Sequence, residues 1–154
     1  ILVLNFLNQL FLGDSGAYFL SFFVGYILIK IYNFNVNISP YFIILLLWYP
    51  CYENLFSIIR KLIKEKSPLN PDNEHLHQYL YTFIKSKFYF GSLKSNIISS
   101  LIINFLNFIF LYIGSTNPND SKLQLNLILF LTIIYILKYI ILRKLCLGFT
   151  SSKK

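Results

Sequence analysis

Methionine is absent from the 154 residues, even at position 1. The chain opens instead on ILVLNFL, without the charged start of a secretory signal, and the expectation is a carboxy-terminal piece of a longer protein. Acid is scarce: six Asp and Glu stand against fourteen Lys and Arg, a formal net charge of +8. Charge of either sign makes up only 13% of the residues, while 56% are hydrophobic and mean hydropathy is +0.59. This balance excludes an ordinary soluble domain and points to a multi-pass membrane protein, in which lipid takes up most of the apolar surface. Cys51 and Cys146 lie in or beside apolar runs without metal-type spacing, so neither a disulfide framework nor a zinc site is indicated. With six glycines there is no phosphate-cradling Gly-rich pattern, and no internal repeat, coiled coil or nucleic-acid-binding pattern. The bases cluster at the ends of apolar runs, where anionic headgroups account for them without nucleic acid. The chain is rich in Phe and Tyr, sixteen and twelve. Together with the abundant Ile, Asn and Lys, this is the composition that AT-rich codons supply.

Taken along the chain, these features predict an all-α, polytopic helix bundle. Residues 1–7 are too short to cross a bilayer, which takes roughly 20 apolar residues, and read as the tail of a fifth helix. Residues 8–16 form a polar connection with Gly13 and Gly16 around Asp14 and Ser15. Four transmembrane helices are expected, over 17–32, 39–59, 96–113 and 123–142, with Lys30 snorkelling to the interface from the first. Pro40 suits a first helical turn, and Pro50 should kink the second helix without ending it. The one long polar segment, 60–95, holds both histidines and seven bases (Arg60, Lys61, Lys64, Lys66, Lys85, Lys87 and Lys94). Arg143, Lys144, Lys153 and Lys154 follow the last helix, whereas the two turns on the other side carry only Lys122. The positive-inside rule then puts the Asp14 connection, the histidine loop and the carboxy terminus together on the cytoplasmic side.

Few groups are left that can do chemistry. Asp14, before an apolar helix, has the position of a helix N-cap, and it could equally be a hard oxygen ligand for Mg²⁺. In SPLNPDNEHLHQYL, two prolines and an Asp make a turn, and Asp72 is placed to cap a short helix with Leu76, Leu80 and Phe83 on one side. His75 and His77 share a face in an extended segment and splay by about 200° in a helix, so their spacing leaves a joint role open. Arg60, Lys61 and Lys64 fit cytoplasmic anchoring, and Arg60 could also grip phosphate bidentately. Glu53 is an ionisable group within or near a span, either an interfacial acid or a group that orients Arg60 two helical turns away.

Taken together, the strings resemble the polyprenyl-phosphate N-acetylhexosamine-1-phosphate transferase family. FLGDSGAYFL is similar to the family's Gly-Asp-x-Gly-Ser motif, with Ala17 in place of Ser. The run from PCYE through Arg60 and Lys61 to SPLNPDNEHLHQ resembles its Pro-interrupted helix, basic end and Ser-Pro…Pro-Asp-Arg-x-His-x-His-His loop. Leu69, Asn73 and Gln78 depart from the family's Phe, Arg and final His, Lys61 from its second Arg, and Glu53 from Asp. The family's upstream Asp-Asp pair and Asn-x-x-Asn-x-x-Asp-Gly motif have no counterpart.

The resemblance implies transfer of a sugar 1-phosphate from a UDP-N-acetylhexosamine to polyprenyl (undecaprenyl) phosphate at a bacterial cytoplasmic membrane, initiating lipid-linked cell-wall or surface polysaccharide. It implies Mg²⁺, or Mn²⁺ in its place, with Asp14 as a ligand, and His75 and His77 as catalytic contacts to the diphosphate or nucleotide that help orient it. Arg60, Lys61, Asp72 and Glu53 are implied in substrate binding, and a homodimer is left open. The fragment alone is expected to be inactive. Two readings from other classes stand beside this one: a degenerate, non-catalytic membrane subunit, and a small helical membrane protein whose basic loop binds lipid or a partner.

Overall fold

Backbone polar groups cannot go unpaired in hydrocarbon, so a chain this apolar has the choice of helices or a closed barrel. The computed structural model describes residues 13–35, 37–65, 67, 70 and 74–151, and every regular element among them is an α-helix. The protein is an all-α membrane helix bundle. The expected tail of a fifth helix, residues 1–7, lies outside the described residues.

Helix α1, Gly13–Phe34, starts earlier than expected. Gly13 has φ +65, a left-handed start that glycine adopts at no steric cost, and Asp14 falls within the first turn, where a negative charge complements the helix dipole. Its surface is almost entirely exposed, with Leu28 the buried residue.

The second expected helix is in fact two, α2 (Pro40–Leu46) and α3 (Trp48–Ile63), bent by 74° at Leu47. Pro50 has no N–H to give to the carbonyl of Leu46, four residues back, and the break falls within that turn. Ser39 caps α2, its Oγ accepting the Tyr41 N–H at 3.3 Å, with Pro40 in the first turn as expected.

Residues 60–95 are not simply a loop. Arg60 and Lys61 end α3, and Leu76–Phe88 form a short helix α4. Leu76 is buried and Leu80 and Phe83 pack against the core, the side expected from the sequence. Helix α5, Ser92–Thr116, and helix α6, Ser121–Ser151, complete the bundle. The basic stretch after residue 142, expected to be a tail, continues α6. Three helices, α1, α5 and α6, are long and apolar enough to cross a membrane, and α2 with α3 make a fourth crossing if the bent pair counts as one span.

One corner fastens two turns together. Ser39 donates its N–H to the Pro118 carbonyl at 3.0 Å, and the Ser39 and Ser121 hydroxyls lie 2.9 Å apart. Asp120 caps α6 by accepting the Lys122 and Leu123 N–H groups. Gln124, fully buried, donates through Nε2 to the carbonyls of Gly114 (2.8 Å) and Asn117 (3.0 Å) at the end of α5. At the opposite end α4 lies against the last turns of α6, where Cys146 Sγ approaches the Tyr79 carbonyl at 3.4 Å.

Between the two ends the core is aromatic. Trp48 stacks on Tyr52, Tyr135 meets Tyr52 and Phe56 edge-on, and Tyr139 meets Phe56 and Tyr79 in the same way. Edge-to-face pairs of this kind add about 0.5–1.5 kcal/mol each beyond the area they bury.

Candidate functional site

Helix α3 presents its polar face inward. Glu53, Ser57 and Arg60 are buried at spacings of four and three, with Tyr49, Tyr52 and Phe56 on the same face. Leu55, Ile58, Ile59, Leu62 and Ile63 face outward. A membrane environment favours this arrangement, since lipid solvates the apolar side while polar groups find one another inside.

The partner of Glu53, which is 7% exposed, is the start of α4. Its Oε1 accepts the Leu76 N–H at 3.0 Å and lies 3.0 Å from His75 Nδ1. The expectation that Glu53 orients Arg60 is therefore corrected, because the first turn of α4 takes the carboxylate. Glu53 Oε2 lies buried with the hydroxyls of Tyr49 and Tyr135, both close enough to interact with it, although none of the three makes a hydrogen bond of standard geometry.

The basic end of α3 holds the loop by its backbone. Arg60 donates to the Glu74 carbonyl, to Tyr139 Oη at 3.0 Å and to Ser57 Oγ at 3.4 Å. Its guanidinium stands over the Tyr139 and Phe56 rings, and its Nε is 3.7 Å from Glu74 Oε2. Lys61 Nζ donates to the Asn70 carbonyl at 2.6 Å, and Lys64 pairs with the Glu74 carboxylate. The Lys64 hydrogen bond, helped by the charges of Lys64, Arg60 and Arg143, holds the Glu74 carboxyl below its ordinary pKa against the opposing effect of burial.

His75 is the N-cap of α4, with extended backbone (φ −77, ψ 152), and His77 lies in the first turn. The spacing question is thereby answered: only His77 is helical, the 200° splay does not apply, and the rings stack with centroids 5.5 Å apart and planes 17° apart. His77 keeps an exposed face, yet the loss of surrounding water pulls its pKa below the ordinary histidine value, with His75 adding to the shift and Glu53 opposing it. His77 and Gln78 line a cavity of about 240 Å³ with Tyr81, Asn96 and Ser100.

Asp72 lies outside the described residues, and the cap position it was expected to fill belongs to His75. Gln78, read as a departure from the family pattern, has a structural use: its Oε1 accepts the His75 N–H at 3.2 Å. Position N3 is where a capping glutamine belongs, so the spacing from His75 to Gln78 carried a signal that sequence reasoning missed. Glu74 and Tyr139 were missed as well. Tyr139 has no local signal, since it reaches Arg60 from another helix.

Asp14 stands exposed in the first turn of α1, and among the described residues it has no hydrogen bond or ion pair with either histidine. No group of three or more His, Cys, Asp or Glu that could hold a metal occurs among the described residues. Asp14 offers a single oxygen ligand, so these residues do not by themselves fit a metal.

Fold and site together define the class: a multi-span, all-α membrane protein that gathers a buried acid, two stacked histidines and a basic clamp at one end of its bundle. The chain is similar to the undecaprenyl-phosphate alpha-N-acetylglucosaminyl 1-phosphate transferase of Thermotoga maritima, 29% identical over 111 residues, 68% of this chain and 36% of the relative. It is also 29% identical over 129 residues, 82% of this chain and 33% of the relative, to the probable undecaprenyl-phosphate N-acetylglucosaminyl 1-phosphate transferase of Bacillus subtilis. The chain thus spans about a third of the length of the curated relatives it matches. No family model and no solved structure matches it. The similarity reaches well past the two motifs and bears out the resemblance to this transferase family.

Proposed function

We propose that this chain forms part of a membrane enzyme that moves an N-acetylhexosamine 1-phosphate from a UDP-sugar to polyprenyl phosphate, at the cytoplasmic face of a bacterial inner membrane. The observation that carries the reading is the stacked pair His75 and His77, set at the basic end of the bundle beside a buried acid. An oxygen of the lipid phosphate attacks the β-phosphorus of the UDP-sugar, and the bond from that phosphorus to the bridging oxygen breaks. UMP leaves with the bridging oxygen, and the lipid keeps the sugar diphosphate.

Phosphoryl transfer of this kind needs charge compensation and alignment more than covalent help. His75 and His77 supply donors to the diphosphate. Arg60 and Lys61 act one step back, by fixing the loop that presents the histidines, since both already donate to its backbone carbonyls. Asp14 is proposed as one ligand of a Mg²⁺ ion, which when bound would neutralise the diphosphate. Its other ligands would come from outside the described residues.

The test is a chimera in which this chain replaces the matching third of the Bacillus subtilis relative. Membranes containing it should exchange labelled UMP into UDP-N-acetylglucosamine, while membranes with the chain alone should not. Either His75→Ala or His77→Ala should lower exchange by about a hundredfold, in the range expected when a donor to transition-state charge is removed. Exchange unaffected by both substitutions would remove the histidines from the chemistry.

A further inference from the structure

Glu53 is an acid buried inside the helix bundle, and its cost needs a reason beyond anchoring. Its Oε1 receives two groups from the start of α4, the Leu76 N–H and the Nδ1 side of the His75 ring, each at 3.0 Å. His75 cannot satisfy every neighbour of Nδ1 at once. Glu53 Oε1 asks for a donor there, whereas the Gln78 N–H, which approaches the same side chain in a capping box, asks for an acceptor. Two observations decide between them. The Gln78 N–H already has an acceptor in the His75 carbonyl at 3.1 Å. Glu53 Oε1 already accepts the Leu76 N–H, and as a carboxylate oxygen it has only an acceptor to offer the ring as well.

We infer that Glu53 is a positioning residue: it holds His75 as the Nδ1–H tautomer and turns Nε2 away from α3, making Nε2 the ring atom that meets a ligand. The hydrogen bond at one imidazole nitrogen selects the state of the other. With Nδ1–H committed to a carboxylate, a neutral His75 carries its lone pair on Nε2, where it accepts a proton or a hydrogen bond from an O–H. Once protonated there, it donates to a phosphoryl oxygen. The assignment concerns the chain itself and rests on the transferase reading only for the use made of Nε2.

The chain has two histidines, His75 and His77, so the spectrum that tests this is simple. The ¹⁵N-labelled full chain in detergent micelles, at roughly pH 9 where an ordinary imidazole is neutral, would be examined by two-bond ¹H–¹⁵N correlation, with His77→Ala assigning the signals. The expected result is a protonated Nδ1 and a pyridine-type Nε2 for His75. Glu53→Leu, which removes the acceptor that faces Nδ1, should leave a mixture of the two tautomers, whereas Glu53→Gln, whose amide oxygen can take the place of Oε1 toward both the Leu76 N–H and Nδ1, should keep Nδ1–H, with α4 intact by circular dichroism in both. An Nε2–H tautomer in the unsubstituted chain would overturn the inference and make His75 a plain helix cap for the Gln78 N–H. Nδ1–H unchanged in Glu53→Leu would overturn it too, since the tautomer would then have another cause. Neither readout involves substrate, so an inactive chimera would count against the transferase reading and leave this assignment standing.

Discussion

The two ends of this bundle are fastened by different chemistry. At the Ser39 corner every tie named is uncharged apart from the Asp120 cap: two hydroxyls, backbone groups and the Gln124 amide. At the other end the ties are ionic and aromatic, running from Arg60 and Lys64 to Glu74, Tyr139 and the loop backbone. The corner serves to close turns. The basic end holds an acid, two histidines and phenols in places where buried polar atoms of Glu53, Tyr49 and Tyr135 lack standard hydrogen bonds. Buried polar atoms left in this state are costly. The corner has one such atom, Gln124 Oε1.

If the basic end is the more heavily coupled, its central cation should be the most expensive residue to remove. Arg60 is 9% exposed and serves a carbonyl, a phenol, a hydroxyl and a carboxylate. Arg60→Ala takes a charged donor from the Glu74 carbonyl, Tyr139 and Ser57 at once, and should destabilise the docking of α4 by about 3 kcal/mol, since one hydrogen bond to a charged group contributes roughly 1.5–3 kcal/mol. Hydrogen exchange of the purified chain should show protection lost in α4 and kept at the Ser39 corner. Equal loss at both ends would mean that the bundle melts as one unit and the comparison has no energetic content.

The corner's most sensitive point is a glycine. A Cβ on Gly114 would stand 2.5 Å from Leu45 Cδ2 and 2.9 Å from Gln124 Oε1. Gly114→Ala gains up to about 1 kcal/mol in helix propensity and loses more by overpacking, so a net cost of about 1 kcal/mol is expected. Thermal unfolding followed by circular dichroism would measure it. A stabilised Gly114→Ala variant would show that Leu45 and Gln124 yield easily and that the corner is looser than its hydrogen bonds suggest.

How much of this was legible beforehand differs between the same two ends. Hydropathy marked the long apolar helices, because lipid leaves a chain few alternatives. The histidine loop was legible as a string, since chemistry at a surface is carried by local spacing. The contacts that hold it were not. Arg60 meeting Tyr139 and Glu53 meeting Leu76 join residues far apart in sequence, and a polar face turned inward cannot be told from an interfacial acid by position alone. Pro50 announced a disturbance but not its 74° size, which depends on α2 and α3 packing separately. The corner was invisible in a different way: Gln124 and Gly114 look unremarkable in an apolar run, and only their proximity gives them a role.

The smallest expected effect separates the ends by charge. Glu74 is held below its ordinary pKa, chiefly by the Lys64 hydrogen bond. A carboxylate with a lowered folded-state pKa contributes its full stability above the unfolded value, and loses it as pH falls from there through the folded one. The ion pair is partly solvated, with about a third of the Glu74 side chain exposed, so its contribution is discounted to about 0.5 kcal/mol. Unfolding midpoints measured from neutral pH down into the carboxylate range should therefore fall, and Glu74→Gln should remove a small part of that fall. At neutral pH, raising salt should reduce the difference between Glu74→Gln and the unsubstituted chain, because solvated pairs are screened. The Gly114→Ala cost, which is steric, should not move with salt. If both substitutions respond alike to salt, the ionic and steric ends are not energetically distinct.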